Sequence, residues 1–459
     1  MFRRGEGREA TLPLAGRSHA SVSPIDSDVS PAPARPTLAE ALSALSLALD
    51  LAESRPLGHA RRVCLLALRL ADRLGLPAQE KSDVAFGALL HDAGVTTISH
   101  TLSRLATADE NEVLAIHATG DAEIFARMIE AGAVERLFDL LGSHAVVGAQ
   151  IANSLRLSGG ACETIRHHHE RWDGLGAPDG VFGDAIPRAA RVVAAADVIE
   201  TSMGPGNAFS GGRKEAVLAA IDIRNGGVLD PAVANAAAQW CRGDAQLHEV
   251  AQGDVSSCLL DLPESRIFLD IPHLTTIGHI FANIVDNKSP YTLGHSVNVA
   301  HYAVQLARQF GFREDTTERL RIAALLHDLG KLVVPNHILD KTETLTDQEY
   351  ALVREHPMLT NRILTEIPYF DEIRAWASAH HERMNGSGYP NRWPGDRLSM
   401  GARILATADV YEALTAHRPY RKPMPRAEAV LTLWSERHLY DARVVAAMAR
   451  MMGVELPNT

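Results

Sequence analysis

Seven residues in the second half of the chain have the types and order to do metal chemistry: His295, His327, Asp328, His356, His380, His381 and Asp409. All are imidazoles or carboxylates, and none is a thiolate. That set suits Mn, Fe, Ni, Co or Zn rather than Ca or a structural zinc. It exceeds the needs of one ion and fits two, because a carboxylate such as Asp328 can bridge two cations through its two oxygens. Two metals a few ångströms apart can clamp a phosphate and activate water near neutral pH, which are the two requirements of phosphodiester hydrolysis.

The series occurs twice. His59, His91 and Asp92 reappear 236 residues later as His295, His327 and Asp328. His144, His168, His169 and Asp197 reappear 212 residues later as His356, His380, His381 and Asp409. One change of 24 residues reconciles the two offsets, so the first copy carries an insertion somewhere in about 100–140. Arg191 and Arg403 extend the match, as do Asp230 and Asp441 at an offset of 211. The first copy is thus a candidate second metal site.

The elements that must hold these residues read as helices. Val63, Leu66, Ala67, Leu70 and Leu74 recur at helical spacing, as do Val297, Ala300, Val304, Ala307 and Phe310, and alternating strand patterns are rare. Each His-Asp pair ends an apolar helix, 320-LRIAALLHD-328 in the second copy, and His380 and His381 end 371-DEIRAWASAHH-381. Asp409 follows the apolar 402-ARILATA-408. The expected fold is all-α, with two tandem helical bundles whose helix ends converge on a pocket. The expected divisions are a Pro-, Ser- and Gly-rich disordered tail at 1–36, a first domain at 37–250, a linker at 251–269 and a second domain at 270–459.

Bulk properties narrow the function. A length of 459 residues suits two or three domains. A formal net charge of −11 argues against a broad DNA or anionic-membrane footprint, and 5% aromatic content against single-strand stacking platforms. Cys64, Cys162, Cys241 and Cys258 form no CxxC pair, so a reducing compartment is the simple reading. No apolar run reaches the roughly 18 residues of a membrane helix, and no signal peptide follows Arg3 and Arg4. A cytoplasmic protein is expected. Helical lobes of this kind are compatible with a homo-oligomer.

At these residues the chain resembles the HD superfamily of phosphohydrolases, and its second copy resembles the HD-GYP branch. The matching text is 288-KSPYTLGHS-296, 327-HDLGKLVVP-335, 356-HP-357, 380-HHERMNGSGYP-390, 403-RILATADVYEAL-414 and 418-RPYR-421. The resemblance implies a phosphodiesterase that hydrolyses the cyclic dinucleotide cyclic di-GMP to its linear form or to GMP, using two divalent transition metals, with Fe or Mn foremost. It makes His295, His327, Asp328, His356, His380, His381 and Asp409 the metal ligands. It places Lys331 near the scissile phosphate, as a catalytic residue beside Asp328. Arg418 and Arg421 would hold substrate phosphates, and Tyr389 would shape the pocket.

The second copy departs from the family at Tyr291, where some members place a Glu that holds a third metal, and at Asn385, where Asp is usual. The first copy keeps every metal-type residue and Asp173, but has Val95 for Lys331 and Ala177 for Tyr389. It reads 204-GPGNAFS-210 where the basic 418-RPYR-421 is matched. It therefore reads as a regulatory or pairing domain, or one for a different substrate. Two other functions are compatible with the sequence: hydrolysis of another nucleotide phosphoester, and a catalytically inactive nucleotide- or protein-binding scaffold.

Overall fold

The computed structural model describes residues 35–53, 55–98, 134–204, 211–252, 254–417 and 422–457. The expected tail falls almost wholly outside these, as do most of the first-copy insertion, 205–210, and both Arg418 and Arg421. Among the described residues the architecture is helical, with isolated bridges and no strand.

The first lobe contains α1 (Leu38–Ala52), α2 (His59–Arg73), α3 (Ala78–Leu90), α4 (Val134–Ser154), α5 (Gly159–His167), α6 (Arg188–Met203), α7 (Gly211–Arg224), α8 (Pro231–Cys241) and α9 (Asp244–Gln252). A short helix α10 (Ser256–Leu260) and a 3-10 turn at Pro263–Arg266 lie within the expected linker. The second lobe contains α11 (Ile271–Asp286), α12 (His295–Gln309), α13 (Glu314–Leu326), α14 (Asn336–Leu339), α15 (Asp347–Val353), α16 (His356–Thr365), α17 (Asp371–Ser378), α18 (Met400–Thr415), α19 (Arg426–Ser435) and α20 (Ala442–Met452).

Helix α1 belongs to both lobes. Its sequence, LAEALSALSLALDLA, is apolar on every side, and all its residues except Glu40 are buried. A helix of that kind has no solvent face and must be enclosed. It packs on α2 and α3 of its own lobe and, on another side, on α16 and the 3-10 turn Leu329–Val333 of the second lobe. Its start is fixed by a capping box: Thr37 Oγ1 accepts from the Glu40 amide, and Glu40 accepts from the Thr37 amide. The Leu38 amide also donates to the Ile267 carbonyl at 2.9 Å, and the Leu269 amide to the Pro36 carbonyl at 2.9 Å. The Arg61–Glu366 ion pair at 3.2 Å adds a polar tie between the lobes.

Repeated devices place the helix ends that bear the candidate ligands. Asp50 accepts from the Gly58 and Ala60 amides ahead of and at the start of α2, and Asp286 accepts from the Ser296 amide and hydroxyl at the start of α12. A carboxylate here answers the positive N-terminal end of the helix. Gly330 allows the turn after the His-Asp pair to seat on α16, since a Cβ there would lie 2.1 Å from the His356 carbonyl oxygen. Gly94 meets the His144 carbonyl in the same way, also at 2.1 Å. The matched residues Arg403 and Asp441 pair with each other at 2.9 Å, as Arg191 and Asp230 do at 2.7 Å. Each aspartate also caps the helix that follows it, so this part of the repeat is structural.

Candidate metal centre

The second lobe brings all seven predicted ligands together. His327 caps the end of α13 and Asp328 follows it; His295 and His356 begin α12 and α16. His380 and His381 lie just beyond α17, and Asp409 sits inside α18 rather than after it. Around Asp328 the ligands divide into two groups. Oδ2 faces His295 Nε2 at 3.4 Å and His327 Nε2 at 3.3 Å, and Asp409 Oδ1 is 3.4 Å from the same His295 nitrogen. Oδ1 faces His356 Nε2 at 3.4 Å and His380 Nε2 at 3.7 Å, with the His381 ring centroid 4.0 Å from that of His380. Asp328 is thus placed to bridge two cations.

The chemistry of these atoms fits metal ions. His327 Nε2 and Asp328 Oδ1 are buried and make no hydrogen bond, an arrangement that costs free energy unless something answers them. The opposite ring nitrogens are already used. His327, His356 and His380 each donate Nδ1–H to a backbone carbonyl at 2.6 Å, and His295 Nδ1 meets Glu412 at 2.5 Å. Fixing Nδ1 in this way aims the Nε2 lone pair into the cluster. Burial pushes His356 down to about 4 and His380 and His381 well below the usual histidine range, so all three are neutral, as a ligand must be. Burial alone would raise Asp328, but His327 and Lys331 beside it hold it well below the usual carboxylate range.

Lys331 Nζ lies 2.5 Å from Asp328 Oδ2, at the edge of the cluster. It opens on a cavity of about 760 Å³ that is also lined by Ser289, Tyr291, Lys341 and Tyr350. Tyr291 stacks on His417, with centroids 6.0 Å apart. Tyr389 lies against the candidate ligand His381, with ring centroids 4.7 Å apart. Asn385 is exposed and accepts from the Ser387 amide at 3.0 Å. In the first lobe Asp173 accepts from the Leu175 amide at 3.1 Å. Both side chains close the same turn by accepting an amide hydrogen bond; Asp173 also pairs with Arg171, an ion pair that Asn385 cannot make.

The first lobe repeats the centre. His91 Nε2 is 2.9 Å and His59 Nε2 4.0 Å from Asp92 Oδ2, while His144 Nε2 is 3.8 Å from Oδ1. Asp197 lies 3.6 Å from His59, and His144, His168 and His169 group on the other side. His59 Nδ1 meets Glu200 at 2.6 Å, the equivalent of His295 and Glu412. The surroundings differ. Val95 is buried in the core, so no lysine reaches the centre from that turn. Glu53 is directed at Asp92, its carboxyl pushed well up by burial and by that neighbour, and Arg55 pairs with Glu53 at 3.4 Å. The cavity over the centre is about 290 Å³.

Sequence reasoning missed Glu200, Glu412, Asp50, Asp286, Glu53 and Arg55. A signal existed for the first four, since each pair sits at the offsets of the ligands, 212 and 236.

The comparisons with known proteins agree with this geometry. Models of the HD domain match residues 57–202 and 279–444. The chain is 31% identical over 446 residues to 3'3'-cGAMP-specific phosphodiesterase 3 of Vibrio cholerae, covering 92% of this chain and 95% of that protein. A crystal structure of a cyclic GMP-AMP specific phosphodiesterase from V. cholerae superposes with a TM-score of 0.67 at 30% identity, covering 92% of this chain and 99% of that one. A cyclic di-GMP phosphodiesterase of Pseudomonas aeruginosa is 37% identical over 165 residues, or 36% of this chain and 40% of that protein. With two HD domains in tandem and full-length similarity to such enzymes, this chain belongs to the metal-dependent HD-GYP family of phosphodiesterases.

Proposed function

We propose that the second lobe linearises a cyclic dinucleotide, with 3'3'-cyclic GMP-AMP as the preferred substrate and cyclic di-GMP as the second. The observation that carries the reaction is Asp328, whose two oxygens face two separate ligand groups beside Lys331 and a cavity of about 760 Å³. The substrate preference is supported by the relatives that align along most of the chain. Two of them, covering 92% and 86% of it, are named for 3'3'-cGAMP, whereas the cyclic di-GMP enzyme of P. aeruginosa aligns over 36%. Cyclic di-GMP, the substrate implied by the GYP text alone, is therefore placed second.

Two divalent transition metals, with Fe or Mn foremost by the family resemblance, would supply Lewis acidity and an activated water. His295, His327 and Asp409 would hold one, and His356, His380 and His381 the other, with Asp328 between them. Lys331 brings a cation to the edge of the centre, where it stabilises charge on the phosphoryl oxygens or gives a proton to the departing ribose 3'-oxygen. Glu412 keeps His295 turned toward the cluster. The first lobe, which lacks the lysine, serves as a metal-bearing regulatory or pairing partner joined to the second through α1. The test is kcat/KM for cyclic GMP-AMP, cyclic di-GMP and cyclic di-AMP on the Mn²⁺-loaded chain. At least a tenfold preference for cyclic GMP-AMP is expected, and an equal or greater value for cyclic di-GMP would reverse the ranking.

A further inference from the structure

We propose that Arg354 binds the second, non-reacting phosphate of the substrate and that Tyr350 and Tyr389 hold its guanidinium ready to do so. The inference rests on the cyclic-dinucleotide reading above. Arg354 closes the C-terminal end of α15, its amide donating to the Tyr350 carbonyl at 3.0 Å. Its guanidinium carbon lies 4.6 Å from the Tyr389 ring centroid and 5.7 Å from that of Tyr350. Tyr389 in turn lies against His381, the two rings tilted by 31°. A chain of ring and cation–π contacts therefore runs from a candidate metal ligand, through Tyr389 and Arg354, to Tyr350 on the wall of the cavity that holds Lys331.

Charge completes the argument. A cyclic dinucleotide carries two phosphodiester charges. The metal centre and Lys331 answer the reacting one. Of the described lysines on the cavity wall, Lys331 is paired with Asp328 and Lys341 with Glu349 at 2.7 Å; Arg418 and Arg421, to which the resemblance gives substrate phosphates, lie outside the described residues. Among the described residues no carboxylate lies within ion-pair distance of Arg354. A guanidinium stacked on aromatic rings keeps its in-plane N–H fork for an anion, and being held already, it loses little freedom on binding.

The first lobe has lost the arginine and one of its two rings, while Tyr350 corresponds to Phe138. At the offset of 212, Arg354 corresponds to Gly142 and Tyr389 to Ala177. A Cβ built on Gly142 would lie 3.2 Å from the Ala177 Cβ and 3.2 Å from Pro178 Cα, so the wall has closed where the arginine and tyrosine stand in the second lobe. Residues that touch in one copy have shrunk together in the other.

The test compares the full native chain, Arg354→Ala and Arg354→Lys, each loaded with Mn²⁺, on the three cyclic dinucleotides and on bis(p-nitrophenyl) phosphate, which has one phosphate. In Arg354→Ala, KM for every cyclic dinucleotide should rise by about tenfold or more, the scale of one lost charge-assisted contact, with kcat changed less than threefold. The ratio of cyclic-dinucleotide to bis(p-nitrophenyl) phosphate kcat/KM should fall to the same degree, and Arg354→Lys should be intermediate. An unchanged KM would overturn the assignment. So would a loss confined to guanine-bearing substrates, which would mean a base contact, or an equal loss on bis(p-nitrophenyl) phosphate, which would mean a structural role. If the native chain cleaves bis(p-nitrophenyl) phosphate but no cyclic dinucleotide, the substrate reading fails first and the arginine assignment falls with it.

Discussion

Replacing Glu412 with Gln should weaken metal binding without altering the fold. Glu412 is buried, and its Oε2 lies 2.5 Å from His295 Nδ1. The amide keeps the shape and can still accept the Nδ1–H bond, but the charge is gone. A hydrogen bond to a charged group contributes about 1.5–3 kcal/mol and a neutral one about 0.5–1.5. The difference, about 1–1.5 kcal/mol, is close to one factor of ten in affinity. That agrees with the roughly 10–100-fold usual for residues that orient a metal-ligating histidine. The equivalent Glu200 also holds Arg62 at 2.7 Å, so Glu200→Gln should weaken the first-lobe centre and lower stability as well. Competition of the apo-chain against a fluorescent chelator for Mn²⁺ measures the affinity, and circular dichroism checks the fold. A Glu412→Gln chain that folds normally and binds within threefold of native would refute the view that Glu412 aims His295 at an ion.

Two further outcomes follow from the same geometry. Lys331→Met should lower kcat on the cyclic dinucleotide by roughly 10²–10³-fold, the scale of one lost charge-stabilising donor, with metal content unchanged; steady-state kinetics and elemental analysis check it. Asp441 should matter for acid stability. Burial alone would raise its pKa, but hydrogen bonds from Arg443 and Arg403 hold it down at about 2. Its contribution is therefore complete above the ordinary carboxylate range, near pH 4, and is lost as pH falls from there through about 2. Asp441→Asn should cost roughly 1–3 kcal/mol at neutral pH and flatten that acid slope, as denaturant titrations at pH 3 and pH 7 would register.

The grouping of the candidate ligands was legible because metal chemistry restricts residue types and the duplication printed the same spacing twice. The helical class was legible from periodicity, and the placement of His327 at a helix end from the apolar run before it. What the sequence left hidden lies in pairings between distant segments. His295 and Glu412 touch across 117 residues, and nothing in the sequence marks the glutamate as a support beyond its repeated offset. The arginine beside Tyr389 closes α15, 35 residues before the loop that carries the tyrosine, so no motif contains both. Helix α1 read as the first element of one domain, yet its all-round apolar surface is used by two. The segment 251–269 read as a plain connection because its short apolar stretches are too brief to show a period, but it folds into α10 and a 3-10 turn. Asn385 read only as a departure from the usual Asp; in place, it closes a turn.

The central claim is that the second lobe, through Asp328 and its two ligand groups, opens a cyclic dinucleotide. Its most direct test is chromatography of the products after the Mn²⁺- or Fe²⁺-loaded chain is incubated with cyclic GMP-AMP or cyclic di-GMP, with Asp328→Ala and Asp92→Ala run beside it. The account predicts linear dinucleotide from the native chain and from Asp92→Ala, and none from Asp328→Ala. No product from a metal-filled native chain, or product that disappears with Asp92→Ala while persisting in Asp328→Ala, would contradict it.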